Sequence, residues 1–187
     1  MSFRVVLAED ETLARKDLTE MLAELGHHVL GAAADGVEAL RLIKEMDPDV
    51  VMLDIKMPAM DGIEVARKMA NRYPAIIITA YSERNFIEKA RDAGVMAYIT
   101  KPFRKADLSA AIELAVSNFL KQSSLRERVE RLREQLETRK IVEKAKGLLM
   151  KLENLTEVEA HQKLQNISMS KNKPLKQVAE AIILTRE

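Results

Sequence analysis

Five side chains could do chemistry together although they are scattered from position 9 to position 101. Glu9, Asp10, Asp54, Thr79 and Lys101 each sit at or just beyond the end of a short apolar run, and Pro102 follows the lysine. Three carboxylates brought close repel one another and resist full ionisation unless a cation joins them. An all-oxygen ligand set favours a hard ion such as Mg²⁺. A hard metal, a carboxylate, a hydroxyl and an ammonium together are suited to holding a phosphoryl group on an aspartate.

That chemistry requires elements that bring the five together. The apolar runs Val5-Val6-Leu7-Ala8, Val50-Val51-Met52-Leu53, Ile76-Ile77-Ile78 and Ala97-Tyr98-Ile99 read as strands buried on both faces, as in a parallel sheet. The polar residues then share its carboxyl-terminal edge, where open α/β sheets bind ligands. Strands are expected over 3–8, 28–33, 50–53, 75–79 and 97–99, and helices over 12–25, 37–45, 63–72 and 84–92, with a last one starting near Lys105. Gly26 and Gly94 suit helix C-termini, and Pro48 and Pro74 fall between a helix and the next strand. This alternation predicts right-handed crossovers and a doubly wound five-stranded parallel sheet of the α/β class.

At these residues the chain resembles a known family. Leu7-Ala8-Glu9-Asp10-Glu11, Leu53-Asp54-Ile55-Lys56-Met57-Pro58-Ala59-Met60-Asp61-Gly62, Ile78-Thr79-Ala80 and Ala97-Tyr98-Ile99-Thr100-Lys101-Pro102-Phe103 resemble a two-component response-regulator receiver, a flavodoxin-like fold, over about 3–118. The resemblance implies that Asp54 accepts a phosphoryl group from the phosphohistidine of a sensor histidine kinase. It implies Mg²⁺ on Glu9, Asp10, Asp54 and the backbone carbonyl of Lys56. Thr79 and Lys101 would contact the phosphoryl oxygens, with Lys101 aimed by a cis bond to Pro102. Tyr98 either rotates inward when Thr79 moves or stays packed on the sheet. Lys56 and Tyr81 occupy the two positions that tune phosphoryl lifetime in this family. Met57, Pro58, Asp61 and Gly62 are read as shaping the loop. Such a chain is a regulator rather than an enzyme, apart from its own phosphoryl transfer and slow self-dephosphorylation.

Composition divides the chain. Residues 1–120 carry 15 Lys/Arg and 19 Asp/Glu, a balance of −4, and residues 121–187 carry 15 against 10, a balance of +5. The basic part has no Phe, Tyr or Trp after Phe119, and the whole chain has no cysteine, which excludes disulfides and thiolate metal sites. The first apolar run stops at Glu9-Asp10-Glu11, too short and acidic for a signal peptide, and no stretch reaches the length of a membrane span. A cytoplasmic protein without membrane contact is expected, divided into a receiver over 1–120 and a helical linker with a second domain over 121–187.

From Ala106 to Leu152 there is no proline and a single glycine, Gly147, so the last receiver helix is expected to run on into the second part, as one long helix or a jointed one. Thr156-Glu157-Val158-Glu159 reads as a capping box, and Pro174 suits a helix start. With the stripes Ile141/Ala145/Leu148/Leu149/Leu152, Ala160/Leu164/Ile167 and Leu175/Val178/Ala179/Ile182/Ile183, a small three-helix bundle follows. The segment from Arg139 to Met150, with Glu159-Ala160, Leu164, Ser168-Met169, Leu175, Val178 and Ala179, resembles the ANTAR domain over about 125–184. That family binds hairpin RNA and prevents transcription termination. Ala145 and Gly147 are read as small residues permitting close helix approach.

Candidate RNA contacts are Arg139, Lys144, Lys146, Lys163, Lys171 and Lys173, since phosphate needs clustered cations. His161 stands where the family often has an aromatic and is the domain's sole ring for stacking on a base. A helical output that binds DNA or docks a protein is the alternative. A DNA-reading helix-turn-helix wants a basic second helix, and the last one here offers only Lys176 and Arg186. Leu125, Val129, Leu132 and Leu136 form a short a/d seam, interrupted upstream by Asn118 and Gln122. Its e and g positions, Lys121, Arg126, Arg128, Arg133, Gln135 and Lys140, include no acid, so two copies repel at either edge. A resting monomer is expected, with dimerisation possible on phosphorylation or RNA binding.

Overall fold

The computed structural model describes residues 1–69, 72–80 and 84–186. The expectation for Tyr81 lies outside them. Contacts divide the chain into a unit over Met1–Ser123 and a unit over Ser124–Glu187.

In the first unit, five strands, β1 (Arg4–Ala8), β2 (His28–Ala33), β3 (Val50–Asp54), β4 (Ala75–Thr79) and β5 (Ala97–Thr100), alternate with helices α1 (Thr12–Glu24), α2 (Gly36–Met46), α3 (Gly62–Lys68) and α4 (Arg84–Asp92). Every strand pair is parallel, in the order β2-β1-β3-β4-β5. This is a doubly wound sheet whose connections reverse direction between β1 and β3, so a crevice opens at the carboxyl ends of those two strands.

Period-2 alternation builds a core on each face. Val6, Ala8, Val51, Leu53 and Ile77 face one way and pack with Ala39, Ile43, Ile63 and Val65 of α2 and α3. Val5, Leu7, Val50, Met52, Ile76 and Ile78 face the other way, with Leu18 and Leu22 of α1 and Leu108, Ile112 and Ala115 of the next helix. Helix starts are fastened locally: Asp35 accepts from the N–H groups of Val37 and Glu38, and Asp61 from that of Glu64. Gly26 and Gly94 end α1 and α4 with φ of 81° and 85°, a conformation that favours glycine.

Most expected boundaries agree within two residues. The exception is α3, expected to reach position 72, which ends at Lys68 with Met69 as its C-cap. Strand β3 extends one residue further than expected and includes Asp54 itself.

α5 (Lys105–Glu153) is a single unbroken helix, without a joint at Gly147. Its later turns join α6 (Glu157–Lys171) and α7 (Leu175–Arg186) in the second unit. Thr156 and Glu159 form the expected capping box, and Asn172 closes α6 in a left-handed conformation. Val142, Ala145, Leu149, Ala160, Leu164, Val178 and Ala179 make the core. Leu152, expected in that stripe, is exposed.

Candidate phosphoacceptor site and basic output surface

The strand ends deliver all the side chains that the spacing singled out. Glu9 and Asp10 leave β1, Asp54 ends β3, Thr79 ends β4, and Lys101 directly follows β5 and is joined to Pro102 by a cis peptide bond. Carboxylate oxygens of Glu9, Asp10 and Asp54 all lie within 4.8 Å of one another. Lys101 Nζ donates to Glu9 Oε2 at 2.6 Å and to Asp54 Oδ2 at 3.0 Å. The Ile55 N–H donates to Asp54 Oδ1 at 2.6 Å. Glu9 is buried to 1 % exposure, Thr79 is fully buried, and Asp10 is open to solvent.

Burial pushes the Glu9 carboxyl above its usual range, and the Asp54 charge adds to the effect, against the hydrogen bond from Lys101. Burial also works against the Lys101 charge, but the bonds to Glu9 and Asp54 outweigh it and the ammonium ends above its ordinary value. Lys101 is thus a resident countercharge for two acids. A buried all-oxygen cluster with one solvent-facing member fits a hard divalent ion: the acids need positive charge beyond one lysine, and Asp10 leaves the ion open to water. Tyr98, half-buried against the core on the α2 and α3 face of the sheet, has its hydroxyl pKa raised by burial first and by Asp54 second.

Arg15 and Gly36 escaped the sequence reading. Arg15, one turn into α1, donates through Nη1 to the backbone carbonyls of Glu9 at 2.5 Å and Asp10 at 3.1 Å. It fastens the loop that carries both acids, and because its acceptors are backbone carbonyls no side-chain pattern signals it. Gly62 was read as a loop former, yet its requirement is steric. A Cβ there would stand 2.0 Å from the Asp54 carbonyl oxygen. Gly36 meets the same loop, with a Cβ position 2.3 Å from the Met60 carbonyl oxygen. Lys56 is exposed beside the site.

The RNA candidates separate into groups. Lys171 and Lys173 line one cavity of about 250 Å³ with Gln177, Ile182 and Thr185. Arg139 and Lys144 are exposed on α5. Lys163 is half-buried and paired with Glu153, and His161 Nε2 lies 3.1 Å from Gln165 Nε2. Lys146 departs from the expectation. It is buried, with Nζ 3.0 Å from Glu143 and 2.8 Å from Glu157, and those bonds raise its pKa. It ties α5 to α6 instead of presenting a free cation. Gly147 also departs: a Cβ there would meet nothing within 4 Å, so only Ala145 serves close helix packing.

Residues 5–113 match the family described as response regulator receiver domain, and residues 130–183 match the ANTAR domain. The chain is a response regulator with a receiver and an ANTAR output. It is 47% identical over 184 residues to the transcriptional regulatory protein PdtaR of Mycobacterium tuberculosis, covering 97% of this chain and 90% of that protein. The positive alginate biosynthesis regulatory protein of Pseudomonas aeruginosa is 40% identical over 116 residues, covering 59% of this chain and 46% of that one. Among solved structures, a LuxR-family two-component response regulator of Aurantimonas sp. SI85-9A1 superposes with a TM-score of 0.60 at 30% identity, covering 69% of this chain and 99% of that one. The receiver domain of the response regulator NarL of M. tuberculosis gives 0.58 at 32%, covering 61% and 96%.

This response regulator therefore acts as an RNA-binding antiterminator. It belongs to a non-enzymatic regulator family whose receivers are phosphorylated by histidine kinases and typically bind Mg²⁺. Among its described residues no helix is long and apolar enough to cross a membrane.

Proposed function

We propose that Asp54 is the phosphoacceptor and that the basic face of the second unit carries the RNA contacts. One observation carries the first part: Asp54, Glu9, Asp10 and Lys101 converge at the carboxyl edge of the sheet. An Asp54 carboxylate oxygen attacks the phosphorus of a kinase phosphohistidine, the P–N bond breaks as the P–O bond forms, and the imidazole leaves. Glu9, Asp10, Asp54 and the Lys56 carbonyl would hold Mg²⁺, which supplies charge neutralisation to the phosphoryl oxygens. Lys101 then exchanges a carboxylate partner for a phosphoryl oxygen, and Thr79 donates its hydroxyl to another. Tyr98 responds to the vacated space. Water later removes the phosphoryl group slowly, with Lys56 beside its path.

In the output, Arg139, Lys144, Lys171 and Lys173 neutralise phosphates of a hairpin RNA. Lys163 contributes after releasing Glu153, and His161 stacks on a loop base. The regulator works in the cytoplasm, where the nascent transcript is, and rests as a monomer.

Incubation with a small phosphoryl donor and Mg²⁺ should add one phosphate, mapped to Asp54. Chelation should stop the reaction, and Asp54→Asn should abolish it. A phosphate mapped to another residue of the unsubstituted protein would overturn the assignment.

A further inference from the structure

The turn from β1 into α1 lacks the fastening that other helix starts have. Asp35, Asp61 and Thr156 accept from backbone N–H groups at the heads of α2, α3 and α6. Glu11, at the equivalent position before α1, makes no side-chain cap. Yet this turn carries Glu9 and Asp10, two of the three clustered acids. Arg15 supplies the fastening from the helix side. It is half-buried, and its Nη1 donates to the Glu9 and Asp10 carbonyls while Nη2 lies 3.5 Å from Thr12 Oγ1.

A peptide unit is planar and trans, so its C=O and N–H point in opposite directions. By holding the Asp10 carbonyl, Arg15 sets the direction of the Glu11 N–H in the same peptide unit. That N–H bonds the Glu9 carboxyl and favours its charged form, beside the bond from Lys101. By holding the Glu9 carbonyl, Arg15 also fixes the peptide unit that leads into Asp10. Two consecutive peptide units, and the two carboxylates that depend on them, are thus set by one guanidinium. We propose that Arg15 is a positioning residue for the metal: it sets how tightly Glu9 and Asp10 hold a divalent cation, without touching the ion or the phosphoryl group. This rests on the reading of Glu9, Asp10 and Asp54 as the Mg²⁺ site. The sign of the effect separates geometry from charge. A cation beside three acids repels an incoming metal ion, so on charge alone removing Arg15 tightens the site. On geometry removal weakens it, because Mg²⁺ demands near-ideal octahedral placement and a loose loop loses entropy when it ligates.

The probe is Mn²⁺, titrated into the full chain and read as loss of the free-ion signal in electron paramagnetic resonance, with Mg²⁺ as competitor. Asp10→Asn marks the site and should abolish the binding. Arg15→Gln should weaken both ions by about tenfold or more. Arg15→Lys keeps a donor on a side chain one bond shorter and should lose less, which guards the comparison against a variant that fails to fold. Asp54 phosphorylation by a small donor should need about tenfold more Mg²⁺ for half its maximal rate in Arg15→Gln. At saturating Mg²⁺ that rate should return close to that of the unsubstituted protein. Unchanged or tighter Mn²⁺ binding in Arg15→Gln would overturn the proposal. So would a maximal rate that falls while affinity holds, which places Arg15 in the transfer step instead. Absence of Mn²⁺ binding in the unsubstituted chain would remove the metal site itself, and the role of Arg15 with it.

Discussion

The phosphoacceptor depends on residues that never touch a phosphoryl group. Gly62 is the sharpest case, because its missing side chain is what lets the loop close over the Asp54 carbonyl. Gly62→Ala should displace β3 at its end, slowing phosphorylation by about tenfold or more and costing about 1–3 kcal/mol as overpacking does. Phosphorylation kinetics and thermal unfolding read the two effects, and unchanged values for both would show that the loop gives way freely. His27 carries a separate, pH-linked contribution. It is buried, stacked on Phe3, and accepts the Phe3 N–H at Nδ1 over 3.2 Å. Burial first, then the N-terminal amine and His28, lower its pKa from 6.5. Above 6.5 the ring is neutral both folded and unfolded. As pH falls below 6.5 the unfolded chain takes up a proton that the folded chain refuses, so stability is lost. His27→Asn keeps an acceptor but not the titration. Its urea midpoint should therefore decline less steeply than that of the unsubstituted protein below that pH, and parallel declines would contradict this.

At the scale of elements, α5 is the informative helix. Gly147 sits within it, exposed, with open space where a Cβ would be. Nothing local requires glycine, and a mid-helix glycine costs roughly 0.5–1 kcal/mol relative to alanine. Gly147→Ala should raise the stability of the second unit by about that amount, seen as a higher midpoint in urea or heat. A lower midpoint would reveal a neighbour that the fold does not show. Hairpin affinity measured on the same variant separates stability from recognition: if RNA approaches closely at Gly147, binding weakens while the fold strengthens.

For the molecule as a whole, the question is which of its cations RNA uses. The 15 Lys/Arg of residues 121–187 overstate the number on offer, because Lys146 and Lys163 are paired with Glu143, Glu157 and Glu153. Hairpin affinity should fall with salt, by a log–log slope of roughly −0.7 per single-strand phosphate contact. Replacing Lys171 and Lys173 by Gln should flatten that slope by about one contact or more. Lys146→Gln should instead lower the melting temperature of the bundle and leave the slope near its original value. If Lys146→Gln flattens the slope without destabilising the fold, its pairing to Glu143 and Glu157 is not maintained in solution.

Patterning along the chain was enough to place the sheet and its polar edge. Runs of Val, Ile and Leu with a polar residue at each end mark buried parallel strands. Parallel strands leave their ends on one side, so Glu9, Asp10, Asp54, Thr79 and Lys101 could be grouped from residue order alone. The capping box at Thr156 was legible because its partners are three residues apart. Relations without local periodicity emerged only on folding. Arg15 holds the acid loop through backbone carbonyls, which no side-chain pattern reports. Gly62 and Gly36 are required by backbone from other segments, not by their own φ. Lys146 and Lys144 are both lysines on one helix, yet the first is buried and paired with Glu157 of α6 while the second is exposed, a difference set by the return of α6. Leu125 and Leu149 likewise belong to similar apolar spacings of α5. One is left in water and the other buried because burial depends on which helices return to cover a face, and α6 and α7 cover only the later turns.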